Sequence, residues 1–288
     1  MGLKKDKSEK LNKFNKWNLC GLLLAVGGIC CIIAGTQAGM LAYPSQKTQD
    51  IIESPAIPYD QKKAVLYQEA LQANNSAIIE YALLRTAAVD HGGDILQNSC
   101  DIWDDLNKNW KVASDPMGPE YISSSLDSIK ADLRGDCDDY SVLMAGLAGS
   151  LGAEMRIVNV AGTNGNPGHA FPEYYLGDDV DDVIAQCSNI SSRYDCGRVF
   201  YSINGQGGKT EYWLNFDWTV GRNPDMGYYM YGETSNYHEL VHPGQSYYGV
   251  GQPAVFYYPD GTYASDTPGH GYYEEDVFGR ETLYEIQL

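Results

Sequence analysis

The stretch that decides the fold is GDCDDYSVLMAGLAGSLG, residues 135–152. Asp136 is a favourable N-cap residue, because its carboxylate can accept hydrogen bonds from the free N–H groups at the start of a helix. Apolar residues then recur every four positions along one helix face: Leu143, Leu147 and Leu151. Gly152 stands where glycine commonly ends a helix. These signals predict a helix over residues 136–151 that buries its apolar face.

Three strand-like segments follow this helix and contain many β-branched and aromatic residues. They are Met155–Val160 (MRIVNV), Ala170–Leu176 (AFPEYYL) and Glu211–Thr219 (EYWLNFDWT). A helix followed by consecutive strands predicts an α+β domain in which the helix packs on an antiparallel sheet. We expect a core over about residues 95–220, within a domain that spans residues 61–288.

Upstream of the core motif, the apolar spacing predicts two helical stretches. Residues 61–90 form the first and Ile95–Trp110 the second, with Gly92-Gly93 between them. Residues 42–60 precede both and contain three prolines, which predicts an extended stalk.

Two segments lack a regular pattern. Residues 177–208 are acidic, cysteine-containing and rich in glycine, which predicts an insertion of irregular structure. Residues 221–288 are rich in tyrosine, glycine and proline and show little periodicity, so we expect a tail that wraps the surface.

The N-terminal segment has the pattern of a membrane anchor. No charged residue occurs between Lys16 and Lys47, and the apolar stretch Leu19–Thr36 approaches the roughly 20 residues that a helix needs to span a bilayer. Lysines crowd its N-terminal side, and positively charged flanks face the cytoplasm. We expect a cytoplasmic basic tail over residues 1–17 and a single transmembrane helix over residues 18–41 in the cell membrane, with the remaining domain outside the cytoplasm.

A cleavable signal peptide is the alternative interpretation of this segment. Small residues follow the apolar stretch and would allow cleavage: Thr36, Ala38, Gly39 and Ala42. The apolar stretch is long for a signal peptide, which favours the uncleaved anchor. Both interpretations place the domain outside the cytoplasm.

The charge of the remaining chain excludes one class of partner. Residues 43–288 carry 36 acidic and 14 basic side chains. A surface with that excess of negative charge repels phosphate backbones, so we do not expect the chain to bind nucleic acid.

The seven cysteines lie in different settings. Three lie in the apolar N-terminal segment: Cys20, Cys30 and Cys31. In an oxidising exterior cysteines tend to pair, and Cys187 and Cys196 are close together in a polar stretch, which predicts a disulfide between them. Cys100 lies in a predicted helix and is expected to be a buried thiol. Cys137 lies in the first turn of the predicted 136–151 helix.

Three residues have the chemistry of a nucleophile, a base and an orienting group. A helix N-terminus stabilises a thiolate, which makes Cys137 a candidate nucleophile. His169 follows a glycine-rich loop and begins a strand, and Asp217 lies in the next aromatic strand. A nucleophile needs a base, and the base needs a third group to orient it. Cys137, His169 and Asp217 are therefore candidates for a catalytic triad. The alternative interpretation is a structural cysteine, a surface histidine and an aspartate in a turn.

The residues around this triad resemble the transglutaminase-like superfamily. GDCDDY at residues 135–140 resembles the cysteine motif of that family. Gly168-His169-Ala170 matches its histidine strand, and Trp213–Thr219 (WLNFDWT) resembles its final W…D-x-T segment. The three motifs occur in the family's order, and the resemblance covers about residues 95–220. It implies a papain-like core. The long segment between the histidine and aspartate motifs departs from the family's pattern, and the tail has no counterpart in it.

The resemblance implies a cysteine enzyme that acts on peptide or carboxamide bonds. Cys137 would be the nucleophile, His169 the base, and Asp217 the group that fixes the imidazole. Acyl transfer to water would give proteolysis or deamidation, and transfer to a lysine amine would give crosslinking. Trp103 is a candidate oxyanion or cleft residue, and we expect a protein or peptide substrate at the cell surface. The alternative is a catalytically inactive surface or adhesion module with the same fold.

Three acids crowd the candidate nucleophile: Asp136, Asp138 and Asp139. Their charge disfavours a thiolate unless it is compensated. Some transglutaminase-like bacterial periplasmic proteases bind calcium through acids that flank the nucleophile, and Asp136 and Asp138 match those positions in type. We expect no required cofactor, and calcium at these acids is left open. A metal site on Cys137, His169 and nearby acids is disfavoured because these residues have no C-x-x-C or H-x3-H spacing.

Overall fold

A computed structural model of the chain describes residues 46–114, 121–161, 168–206, 209–220, 238–239, 241–245, 253–266 and 272–276. The chain divides into two units, Met1–Tyr43 and Pro44–Leu288, and all described residues belong to the second. The predicted anchor over residues 18–41 therefore lies outside the described residues. Within the described ranges, no helix has the length and apolar character needed to cross a membrane.

The described helices are numbered in chain order. They are α1 (Gln46–Glu53), α2 (Tyr59–Leu71), α3 (Ser76–Thr86), α4 (Ile95–Asn109), α5 (Ser125–Lys130), α6 (Cys137–Ser150) and α7 (Val180–Tyr194). Helix α6 is the helix predicted from residues 136–151. Helix α4 ends one residue before the predicted end at Trp110, which forms its C-cap.

Among the described residues, the main sheet contains seven strands, and every neighbouring pair is antiparallel. In spatial order they are β10 (Tyr263–Asp266), β9 (Ala254–Tyr257), β3 (Met155–Val160), β4 (His169–Gly177), β6 (Lys209–Asn215), β5 (Arg198–Gln206) and β11 (Tyr272–Asp276). Two short pairs stand apart: β1 (Lys111–Val112) with β2 (Arg134–Gly135), and β7 (Thr219–Val220) with β8 (His238–Glu239). The predicted α+β class with an antiparallel sheet is confirmed.

Helix α6 lies at the centre of the fold. It packs on β3 and β4, and helices α2 to α5 contact its other sides. Residues 138–148 are all buried, so the helix buries every face and not only its predicted apolar face. A Cβ atom at Gly146 would lie 2.4 Å from the carbonyl oxygen of Leu71, at the end of α2. This close approach makes α2 an integral part of the core.

The prediction of one helical stretch over residues 61–90 is wrong, because the chain forms two helices there. Gln72 ends α2 in the left-handed conformation, with φ of 50°. Asn75 then caps α3 by accepting a hydrogen bond from the N–H of Ala77 at 2.9 Å. The two local signals outweigh the continuous apolar spacing.

The predicted stalk over residues 42–60 contains helix α1. Its prolines lie outside that helix and do not interrupt it: Pro44, Pro55 and Pro58. Thr48 of α1 is buried, and its hydroxyl donates a hydrogen bond to Glu69 of α2. This stretch therefore packs on the domain and is not an extended linker over its whole length.

The prediction of irregular structure over residues 177–208 is also wrong. This segment forms α7 and β5. Asp179 caps α7 by accepting hydrogen bonds from the N–H groups of Asp181 and Asp182. The helix buries one face at helical spacing: Val183, Cys187 and Ile190. The acidic composition obscured this apolar pattern.

The tail over residues 221–288 does more than wrap the surface. It contributes β9, β10 and β11 to the main sheet, and β9 pairs with the interior strand β3. Ala254 and Phe256 of β9 are buried in a cluster on one face of the sheet. Strands of four or five residues are too short to show a clear alternation in the sequence.

Candidate active site

Cys137 is the first residue of α6 and is partly exposed. The preceding strand β2 is fixed by parallel pairing with β1, and the N–H of Ala113 donates to the carbonyl of Gly135 at 2.8 Å. The thiol therefore lies at the positive end of a buried helix, where a thiolate is stabilised by the helix dipole and by free N–H groups.

The acids next to Cys137 form a capping box. The side chain of Asp136 accepts from the N–H of Asp138 at 3.3 Å. Asp139 accepts from the N–H of Asp136 at 3.3 Å through Oδ2, and from the N–H of Ser123 at 2.6 Å through Oδ1. Asp139 therefore holds the start of α6 and an upstream loop together. This accounts for part of the GDCDD motif without any catalytic role.

Gly135→Ala is expected to destabilise the protein by about 1–3 kcal/mol, through loss of this cap. A Cβ atom at Gly135 would lie 2.3 Å from Oδ2 of Asp139, so the Asp139 side chain would have to leave its two partners. Gly149→Ala is the matched control in the same helix. A Cβ there lies 3.8 Å from its nearest neighbour, and alanine raises helix propensity. Urea denaturation of both variants measures the difference, and equal midpoints would contradict the explanation.

His169 and Asp217 form a buried pair. His169 begins β4, and Asp217 lies just after the end of β6. Nε2 of His169 is 2.6 Å from Oδ2 of Asp217, and the two side chains are 7% and 0% exposed. Since Nε2 is engaged by the aspartate, Nδ1 is the ring nitrogen left to face another group.

The third group that faces the His169 ring is Cys137. Burial alone would lower the pKa of His169, but the charge of Asp217 and hydrogen bonds to Asp217 and Cys137 raise it to about 10. An imidazolium between a thiol and a carboxylate stabilises the thiolate form of the cysteine. The structure thus brings together the three residues of the predicted triad, whose catalytic role stays a prediction.

Trp103 does not line a cleft. Its side chain is 1% exposed, and its Nε1 donates to the main-chain carbonyl of Asp217 at 2.9 Å. The indole N–H is therefore already engaged and is not available to an oxyanion. The prediction of an oxyanion or cleft role is wrong, because the α4 helix turns this ring towards the core.

An aromatic cluster lies beside the His169 ring and includes a residue that the sequence did not single out, Trp110. The Trp218 ring centroid is 6.2 Å from that of His169, 4.5 Å from Tyr140 and 6.3 Å from Trp110. Trp110 is partly exposed, and its buried Nε1 has no hydrogen-bond partner among the described residues. Its place between α4 and β1, a strand paired to the one that precedes Cys137, was the signal that could have identified it.

Asp138 is the unusual acid of the cluster. It is 7% exposed, and its Oδ1 has no hydrogen-bond partner within the part of the chain that the structure describes. Burial, together with Asp136 nearby, raises its pKa well above the usual range. Oxygens of Asp136, Asp138 and Asp139 lie within 4.8 Å of one another. Carboxylate oxygens are the ligands that Ca²⁺ prefers, so these residues fit part of a calcium coordination shell.

The other described cysteines lie in different surroundings. Cys100 is fully buried, and burial raises its pKa to about 12. Cys187 and Cys196 are both thiols, so the predicted disulfide between them is absent. Cys187 faces the core from α7, whereas the carbonyl of Cys196 accepts a hydrogen bond from Ser191. Helix α7 is the reason for this difference, because it contains Cys187 and ends before Cys196.

Comparison with known proteins adds little to this geometry. No family model matches the chain, and no curated protein matches it. One similar solved structure is that of a candidate cysteine protease from Cytophaga hutchinsonii, with 19% sequence identity and a TM-score of 0.30. The match covers 46% of this chain and 44% of that chain, less than half of either. With so low a TM-score, this likeness decides neither the fold nor the activity.

Proposed function

We propose that this chain is an extracytoplasmic cysteine enzyme of the transglutaminase-like superfamily that acts on peptide or carboxamide bonds of proteins at the cell surface. One observation carries the proposal. His169 forms a hydrogen bond with buried Asp217 on one side and with Cys137, at a helix N-terminus, on the other. The N-terminal anchor over residues 18–41 belongs to the same proposal and rests on its apolar sequence and lysine-rich flank.

The mechanism follows from the roles of the three side chains. The Cys137 thiolate attacks the amide carbonyl carbon, and the carbonyl oxygen takes the negative charge. The positive end of the α6 dipole stabilises that oxyanion. His169 gives its proton to the leaving amine as the C–N bond breaks, and a thioester on Cys137 forms. His169 then takes a proton from water or from a lysine amine, which attacks the thioester carbon. The C–S bond breaks, the acyl group leaves as an acid or as a new amide, and the thiolate and the imidazolium are restored.

Thiol labelling tests this proposal without a known substrate. We expect iodoacetamide to label Cys137 rapidly near pH 7 in the purified full chain. His169→Gln should slow the labelling by about tenfold or more, because the imidazolium that stabilises the thiolate is lost. His91→Gln is a matched control, because His91 is also mostly buried and pairs with an aspartate, Asp101. A wild-type rate no faster than that of an ordinary free thiol would instead favour the inactive surface module.

Asp217→Asn should destabilise the protein most near pH 6 and least near pH 10. The His169 pKa of about 10 lies above its ordinary value of 6.5, so the stabilisation that the charged pair gives is complete below pH 6.5. It is lost as the pH rises towards 10. We therefore expect the difference in unfolding free energy between wild type and Asp217→Asn to shrink from pH 6 to pH 10, as measured by urea denaturation at each pH. A constant difference would contradict the charged pair.

We also propose that Asp136 and Asp138 bind calcium, because Asp138 is a buried acid with an oxygen that meets no hydrogen-bond partner among the described residues. Calcium would neutralise the charge beside the nucleophile. We expect calcium to raise the melting temperature of chelator-treated protein by a few degrees. Asp138→Asn should abolish this rise, whereas Asp182→Asn, on the exposed first turn of α7, should keep it. No effect of calcium on wild type would leave the cluster as a helix cap only.

A further inference from the structure

The segment that carries Asp217 is a three-residue loop after β6, residues 216–218. All three backbone N–H groups of this loop donate hydrogen bonds. The N–H of Phe216 donates to the carbonyl of Pro172 at 2.9 Å, and that of Asp217 donates to Oδ1 of Asn215 at 2.6 Å. The N–H of Trp218 donates to Oδ1 of Asp217 at 2.8 Å. These bonds fix the rotation of the carboxylate, but they leave the loop carbonyls to other partners.

Two of those carbonyls accept hydrogen bonds from side chains of two different helices. Nε1 of Trp103, in α4, donates to the carbonyl of Asp217 at 2.9 Å. The hydroxyl of Tyr140, in α6, donates to the carbonyl of Phe216 at 3.3 Å. Both donors are fully buried. Burial and the charge of Asp217 raise the pKa of Tyr140 well above its usual range, so its hydroxyl keeps the proton that it donates.

Tyr140 and Cys137 belong to the same helix, three residues apart, and side chains at that spacing share a helix face. One turn of α6 therefore carries the candidate nucleophile and a contact to the loop of the orienting aspartate. We propose that Trp103 and Tyr140 are positioning residues, which set the place of Asp217 relative to His169 and Cys137. This inference rests on the proposed function, in which Asp217 orients the imidazole.

The position of Trp103 is itself supported from outside by α7. Tyr194 packs edge-on against the indole, with ring centroids 6.1 Å apart, and its hydroxyl donates to Asp104 of α4 at 2.9 Å. Arg193 donates to Asp101 and Asp104 at 2.6 Å. Helix α7 thus holds α4 against the body of the domain, with the Trp103 ring beneath it.

The test measures the pKa of His169 by titration, because this pKa depends on the distance between the imidazole ring and the charge of Asp217. In the described ranges, the titratable groups that face the ring are Asp217 and Cys137. We expect NMR titration of the full chain to give a His169 midpoint near the pKa of about 10. Trp103→Phe should lower this midpoint by about one pH unit or more. Tyr140→Phe should lower it by less, since its bond to the loop is longer.

Two control variants separate positioning from general stability. Trp213→Phe removes another buried indole, and Tyr257→Phe removes another buried hydroxyl, which bonds to Asp60 at 3.1 Å. Both should lose stability in urea and keep the His169 midpoint of wild type. Lowered stability with an unchanged midpoint in Trp103→Phe and Tyr140→Phe would overturn the inference. If Trp103→Phe does not fold, Tyr140→Phe still decides it, because it removes a single oxygen.

The titration also separates failure of this inference from failure of the proposed function. If iodoacetamide does not label Cys137 in wild type, the proposed enzyme is wrong, whatever the His169 midpoint shows. If Cys137 reacts as expected and the midpoints of both loop-contact variants equal that of wild type, the enzyme stands and the positioning role is wrong.

Discussion

Cys137→Ala is expected to abolish the proposed activity on amide bonds, with a fall in kcat/KM of at least about 10³-fold. Loss of the nucleophile leaves His169 and Asp217 without a group to activate. Cys100 cannot replace it, because it is fully buried and burial raises its pKa to about 12. Mass analysis of the products from a peptide library, with wild type and variant side by side, measures the effect and shows whether water or an amine accepts the acyl group.

Cys196→Ala is the matched control for this prediction. Cys196 is a partly exposed thiol beyond the end of α7, and its carbonyl, which the substitution keeps, accepts the hydrogen bond from Ser191. We expect its activity to stay within about twofold of wild type. If Cys137→Ala kept the activity of wild type, the triad would be excluded. If wild type itself cleaved and crosslinked nothing, the inactive surface module would become the better explanation.

The sequence predicts helix α6 well because its signals are local. The N-cap at Asp136 and the leucine spacing act within one or two turns, so they can be recognised without the rest of the fold. Helix α7 has comparable signals, with an N-cap at Asp179 and buried residues at helical spacing, but acids between them dominate the composition. The composition of this segment therefore predicts irregular structure, although its periodicity predicts a helix.

The proximity of His169 and Asp217 could not be derived from local patterns. It depends on β4 pairing with both β3 and β6, in the register that places Glu173 opposite Asn215. Strand register is fixed by the burial of whole faces and by turn geometry, neither of which a single strand reveals. Family resemblance supplied what local physics could not.

The two tryptophans near the candidate site show the same limit of local sequence patterns, here for single side chains. Trp103 and Trp110 lie about two turns apart, and both precede the cysteine motif. The structure places Trp103 in the core, on the Asp217 carbonyl, and Trp110 in the partly exposed aromatic cluster. Only the end of α4 at Asn109 separates these environments. The position of a helix boundary, within a few residues, therefore decides which indole is buried and which is partly exposed.

Arg156→Met is expected to destabilise the protein by roughly 3–5 kcal/mol, because it leaves the buried carboxylate of Glu173 without its counter-charge. Arg156 and Glu173 are cross-strand neighbours on β3 and β4, and both side chains are 0% exposed. Nε of Arg156 donates to Oε2 of Glu173 at 2.7 Å. The guanidinium lies between the rings of Trp213 and Phe256, with Cζ 4.0 and 4.1 Å from their centroids.

The double variant Arg156→Met with Glu173→Leu separates the cost of an unpaired charge from the value of the pair. Two aromatic rings already enclose position 156, so an unbranched apolar side chain suits that place. Removing both charges should recover most of the stability that either single change loses, since a buried ion pair adds little over an apolar pair of similar size. Guanidinium denaturation of the two single variants and the double variant closes the cycle. If the double variant lost as much stability as the two single variants together, the two charges would not compensate each other. Each side chain would then contribute to the stability of the sheet separately.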